Sequence, residues 1–299
     1  MEPLSRSRRR IYLALCALLF VISIPLAILY ASGYRFRSDL SLVATGGVYL
    51  NVPISDAVVS INGEEIGTTG LFSKNFYVDN LRPGSYAVHV ALDGYYPWYK
   101  SLAVEKRVVT VAEAFLVPEH LPLVRLVRTN TPTTTASTSR AVSRLLYDSY
   151  IAEFATSTDP GERILMVTND CATGICISTT TVALPYDTEG GVDLYIEKGV
   201  AHLEWTRSTS TIPSAFCMTP SQCQKRIVVA EGKGALKHAV LFNGGVLYQS
   251  QSGVFLTEAD VRPTPLTVPI YPKAGADFRI IDGALLVKDA DTLYEVTGF

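Results

Sequence analysis

Hydrophobic positions change their rhythm along the chain. Residues 11–31 (IYLALCALLFVISIPLAILYA) form an apolar run of 21 without a charge, and a helix of that length spans about 30 Å, the thickness of a bilayer core. Beyond it apolar and polar residues alternate at period two, the pattern of half-buried strands. The first strand signals are residues 47–52 (GVYLNV), 57–61 (AVVSI), 76–81 (FYVDNL), 86–92 (YAVHVAL), 101–104 (SLAV) and 108–117 (VVTVAEAFLV). Asn62-Gly63, Arg82-Pro83-Gly84 and Asp93-Gly94 punctuate them as turns, and short strands so punctuated predict an antiparallel β-sandwich over residues 45–118. Residues 126–140 contain VRTNTPTTTASTS, a flexible linker by its Thr and Ser content. Within 141–299, the segments LYIEKGVAHLEW, LYQSQSGVFLTE and LLVKDADTLYEV each read as strand, polar turn, strand, like the inner hairpin of a propeller blade. Neither region holds a convincing amphipathic helix. The predicted class is all-β: an N-terminal transmembrane helix, an antiparallel sandwich, and a propeller-like β-repeat domain, with an irregular sandwich as the alternative for the last.

The apolar run reads as an uncleaved anchor. A secretory signal would have an apolar region of about 7–15 residues and an A-x-A site, and Pro25 is tolerated inside a membrane helix. Arg6, Arg8, Arg9 and Arg10 precede the span and only Arg35 and Arg37 follow it closely. The positive-inside rule therefore makes residues 1–10 a cytoplasmic basic tail and puts the remainder outside. The high mean hydropathy of +0.22 comes partly from the span. Of 26 basic and 28 acidic residues, six basic and one acidic lie in residues 1–37, so residues 38–299 hold 20 and 27, a net −7. That balance argues against a nucleic-acid partner, which needs a basic face. The exported cysteines come as Cys171/Cys176 and Cys217/Cys223. An even count outside the membrane predicts local disulfides; free thiols and a zinc site are the alternatives, the latter with spacings wider than zinc knuckles use.

The string PISDAVVSINGEEIGTT (residues 53–69), followed by LRPGSYAVHV (81–90) and DGYYPW (93–98), resembles the PEGA domain, a small β-sandwich of bacterial and archaeal surface and membrane proteins. Pro53, Ala57, Val59, Ile61 and Gly63 match its first motif, Gly67 and Thr69 its second, and Leu81, Pro83, Gly84, Tyr86, Val88 and Val90 its third. The departures, Ser55-Asp56 in place of Glu-Gly and Gly70 in place of Pro, fall in turns. The resemblance covers about residues 45–118 and implies a sandwich; it carries over no catalytic residue.

Chemistry-bearing motifs are sparse. No Gly-rich phosphate loop, G-x-S-x-G or H-E-x-x-H occurs, so the common nucleotide and hydrolase signatures are missing. The four histidines, His89, His120, His202 and His238, are too scattered for a ligand pair. Asp289-Ala290-Asp291 lacks the Gly and distant Glu of a calcium loop and reads as a hairpin turn. No cofactor or metal is predicted. The candidate binding residues are Tyr95, Tyr96, Trp98 and Tyr99, flat faces suited to sugar rings or to a protein partner. The competing reading makes them the aromatic end of a small core, most strongly for Trp98. Three functions follow: a membrane-anchored binding or scaffolding protein for envelope polysaccharide or membrane and surface proteins, an envelope hydrolase with its site in the C-terminal domain, and a sensor needing a membrane partner for output. The first asks least, since two tethered β modules need only surface.

Overall fold

The computed structural model describes residues 6–36, 42–126, 150–151, 154, 164–168, 179–183, 187–231 and 236–299. Arg6–Ala31 is one helix, and its stretch Arg8–Ala31, of 24 residues and mean hydropathy 2.7, is long and apolar enough to cross a membrane and is left unburied. It stops at Gly33, whose φ of 79° lies in the left-handed region that only glycine enters freely. Arg35 then folds back over the helix end, where the macrodipole favours a cation. Its Nη1 donates to Tyr30 O at 2.8 Å, its guanidinium stacks 3.8 Å from the Tyr30 ring centre, and its Nε donates to Asn80 Oδ1. Thr45 N and Oγ1 both donate to Gly33 O at 2.9 Å. The helix is thus bonded to the first β module rather than hung from it by a free tether.

That module is a sandwich of two sheets. One holds Asn75–Leu81, Gly46–Asn51 and Val109–Glu113 in that order; the other holds Glu64–Thr68, Val58–Ile61, Gly84–Ala91 and Trp98–Val104. The period-two pattern puts Val48, Leu50, Val59, Ile61, Val88, Val90 and Leu102 inside. Two features depart from the antiparallel sandwich expected. Gly46–Asn51 pairs parallel with Val109–Glu113, because the chain between them passes through the other sheet before returning. Glu64–Thr68 forms a strand without alternation, being polar and exposed almost throughout.

The C-terminal residues build three four-stranded antiparallel sheets. The first is Asp187–Glu189, Val192–Glu197, Val200–Trp205 and Arg226–Glu231; the second is His238–Phe242, Gly245–Ser250, Gly253–Glu258 and Thr267–Tyr271. The third is Asp277–Ile281, Ala284–Asp289 and Thr292–Val296, completed by Leu123–Leu126 from the other end of the domain. The three hairpins expected from sequence are the central pairs of these sheets. Two-residue turns with both φ positive, Lys198-Gly199, Asn243-Gly244 and Asp282-Gly283, set strand register. The sheets stack face to face: Val246 and Tyr248 of the second meet the first sheet, while Leu247 meets Leu285 and Val287 of the third. Behind the third sheet, Leu286 and Leu293 pack on Phe154. Ile164–Thr168 pairs with Thr179–Ala183, and residues 127–140 of the expected linker lie outside the described residues.

Candidate functional site at the seam between the modules

Strand geometry splits the aromatic run. Tyr95 and Tyr96 occupy the turn, where Tyr96 N donates to Val117 O at 2.9 Å and the Tyr96 ring packs half-buried on the core. Trp98 opens the strand Trp98–Val104 on its inward phase and is 0% exposed, whereas Tyr99 points outward and is 53% exposed beside His89. The four rings therefore share no face, because successive side chains on a strand project to opposite sides. Trp98 is instead the first residue of a seam joining the sandwich to the second C-terminal sheet.

The seam is polar within a hydrophobic surround. Lys100, two residues on and also 0% exposed, places Nζ 2.7 Å from Glu258 Oε2, and Trp98 Nε1 donates to Glu258 Oε1 at 2.8 Å. Leu266 N donates to the same carboxylate at 3.1 Å, so three donors compensate a charge taken out of water. Two residues along, Arg262 binds Asp260 through its backbone N–H, Nε and Nη2, and reaches across to donate from Nη1 to Val111 O at 3.1 Å. Apolar contact flanks these charges: a Cβ on Gly245 would stand 2.9 Å from the Phe115 ring, so only glycine admits that approach.

Next to the seam, the segment Thr209–Cys223 carries the disulfide Cys217–Cys223, joining Cys217–Thr219 to Gln222–Cys223. Ser221 Oγ donates to Glu105 Oε1 at 2.5 Å, and this hydrogen bond, with another from Thr219, holds the Glu105 carboxyl below its usual range. Between this hairpin and the sandwich runs a groove of about 540 Å3, lined by Val109, Val111, Ile212, Met218 and Arg262 among others. Its sandwich wall is Val109–Glu113, the edge strand of its sheet. Beyond Arg262, a second hollow of about 480 Å3 lies between Pro53, Phe115, Ala215 and Asn243.

Other expected residues fall elsewhere. Cys171 and Cys176 lie outside the described residues. Ala290, with φ 51°, makes the turn between Asp289 and Thr292, and Asp289 accepts hydrogen bonds from Tyr271 and Lys273. Sequence reasoning missed Lys100, Glu258, Asp260 and Arg262, and also the loop tip where Leu71 and Phe72 are 80% and 102% exposed.

No family model matches the chain, and no curated protein matches it. Among solved structures it is similar to a Bacteroides fragilis protein of unknown function described as membrane-associated, at 13% identity over 85% of this chain and 94% of that one, with a TM-score of 0.21. At that score the likeness carries no argument about fold or function.

Proposed function

We propose that the protein is a single-pass, membrane-anchored, extracytoplasmic binding or scaffolding protein of the cell envelope, without catalysis. The arginines ahead of the helix support a cytoplasmic N-terminus. The PEGA-like reading of residues 45–118 and the propeller-like reading of the C-terminal sheets belong to the same proposal. Three four-stranded sheets stacked face to face among the described residues, the last taking in Leu123–Leu126 from ahead of the linker, support the propeller-like reading.

The observation that carries the reading is the open edge of Val109–Glu113 along the groove. Gly47 N donates to Val108 O and Ala114 N to Asn51 O, so alternate residues Val108, Thr110, Ala112 and Ala114 turn their polar groups into the sheet. Those of Val109, Val111 and Glu113 face outward, where Arg262 Nη1 already donates to Val111 O, so an added strand would pair through the outward N–H groups and the carbonyls of Val109 and Glu113. Val109 and Val111 are 40% and 43% exposed. An extended segment of an envelope protein would add there as a further strand, its backbone supplying affinity and its alternate apolar side chains entering the groove. With a photo-cross-linking residue at Val109 of the full chain in its own membranes, a protein adduct is expected. Val111→Pro, which removes an outward N–H and leaves the pairing to Gly46–Asn51 intact, should abolish it. An adduct indifferent to Val111→Pro overturns strand addition at this edge, and capture of polysaccharide alone would assign the binding to envelope polysaccharide instead of a protein strand.

A further inference from the structure

A third hollow, which shares Val108 and Val109 with the groove, lies where the helix meets the sandwich. It encloses about 520 Å3, and Tyr30, Arg35, Tyr77, Asp79, Arg107 and Val109 are among its lining residues. Helix length fixes its depth. Counting from Ile11, where the N-terminal arginines end, about 30 Å of helix brings the chain to Tyr30 and Ala31, the level of the lipid headgroups, where Tyr rings concentrate and a long Arg side chain reaches the interface.

The two arginines of the hollow differ in what remains free. Arg35 is occupied: it bonds Tyr30 O, Tyr34 O and Asn80, and its Nη2 stands 4.0 Å from the Asp79 carboxylate. Arg107 is fixed through its backbone, with N donating to Thr45 O at 2.7 Å, and its guanidinium lies 5.9 Å from the Tyr34 ring centre. Among the described residues that guanidinium has no carboxylate partner and no side-chain hydrogen bond. Since Asp79 offsets Arg35, the described residues of the hollow leave one uncompensated, forked cation at headgroup depth, with Val108 and Val109 giving an apolar wall beside it.

We propose that this hollow binds the phosphate of an anionic phospholipid headgroup, with Arg107 as its ligand and Arg35 as the group that positions the wall. A guanidinium matches a phosphate bidentately, whereas a choline headgroup would bring its own cation against Arg107. The proposal rests on the reading that the helix spans the membrane. Carbonate extraction of native membranes tests that reading separately, since release of the protein would refute the span whatever the lipid result. The site is tested by native mass spectrometry of the full chain in detergent with equal phosphatidylglycerol and phosphatidylcholine. Phosphatidylglycerol adducts should be favoured by about tenfold, the scale of one hydrogen bond to a charged group. Arg107→Gln should remove the preference, and Lys106→Gln, which deletes a neighbouring charge outside the hollow, should keep it. Equal adducts in the wild type, or equal losses in both variants, overturn the site. Displacement of the lipid by millimolar glycerol 3-phosphate would assign it to soluble phosphate esters and overturn the lipid assignment.

Discussion

At the scale of residues, the structure turns on a buried charge. Glu258 is 4% exposed and its carboxylate is held by Lys100, Trp98 and Leu266 N–H. Removing one partner of such a pair strands the other, which costs about 3–5 kcal/mol, whereas replacing both by apolar groups is far milder. Lys100→Met should therefore lower the denaturation midpoint of the full chain sharply. Lys100→Met combined with Glu258→Leu should recover part of the loss, leaving the Trp98 and Leu266 donors unsatisfied. If Lys100→Met stays within about 0.5 kcal/mol of the parent in chemical denaturation, as ordinary surface substitutions do, the ion pair is not the bond that joins the modules. The clue to this pair was present in the sequence. In WYKSLAV the inward phase of the strand runs Trp98, Lys100, Leu102, Val104, and a lysine on a buried phase demands a carboxylate. Nothing local says that the carboxylate comes from residue 258, so the aromatic cluster was legible and its partner was not.

At the scale of elements, strands with one buried face were legible and those without one were not. Gly84–Ala91 and Val58–Ile61 alternate and were read close to their observed bounds, while Glu64–Thr68 carries no apolar face and left no pattern. The parallel pairing of Gly46–Asn51 with Val109–Glu113 and the pairing of Leu123–Leu126 with Thr292–Val296 are both distant in sequence, and period-two patterning says nothing about which strands meet. The disulfide hairpin is an element whose stability can be tested on its own. The bond closes a short loop between residues six apart, so chain entropy gives it about 2 kcal/mol, enough to pin the hairpin but not to hold the fold. Cys217→Ser with Cys223→Ser should lower global stability by no more than about 2 kcal/mol and raise amide exchange at residues 217–223. A large global loss would mean that the hairpin is integral to the core. Acid should act on the same hairpin through Glu105. Its carboxyl is depressed in the folded state by the Ser221 and Thr219 hydrogen bonds, so the stabilisation is present at neutral pH and lost as pH falls through that depressed value. Exchange protection at the hairpin, corrected for intrinsic rates, should drop in that acid window and become insensitive to it in Glu105→Gln. An unchanged acid response in that variant would assign the effect to another group.

At the scale of the whole molecule, sandwich and C-terminal domain share one hydrophobic cluster. Val59, Val90, Trp98 and Leu102 belong to the same contiguous core as Leu247, Leu256, Phe278 and Val287, although the sequence presents the modules as separate units divided by a polar stretch. A sandwich of about 75 residues buries little surface alone, and here it adds to its core by packing against a neighbour. Chains of this size commonly unfold in steps, and the seam argues against a step between these modules, because parting them would expose the apolar cluster and the Lys100–Glu258 pair together. The molecule holds two tryptophans, Trp98 at the seam and Trp205 within the first C-terminal sheet, where its Nε1 donates to Ser208 O at 2.9 Å. A Trp205→Phe variant leaves Trp98 as the lone indole, a reporter of the seam alone, while far-UV circular dichroism reports every strand. In thermal unfolding of that full-length variant in detergent the two signals should trace one coincident transition, the mark of a single cooperative unit. Trp98 emission shifting to longer wavelength before the strand signal falls would show that the seam opens first, and that the sandwich stands by itself on its N-terminal helix.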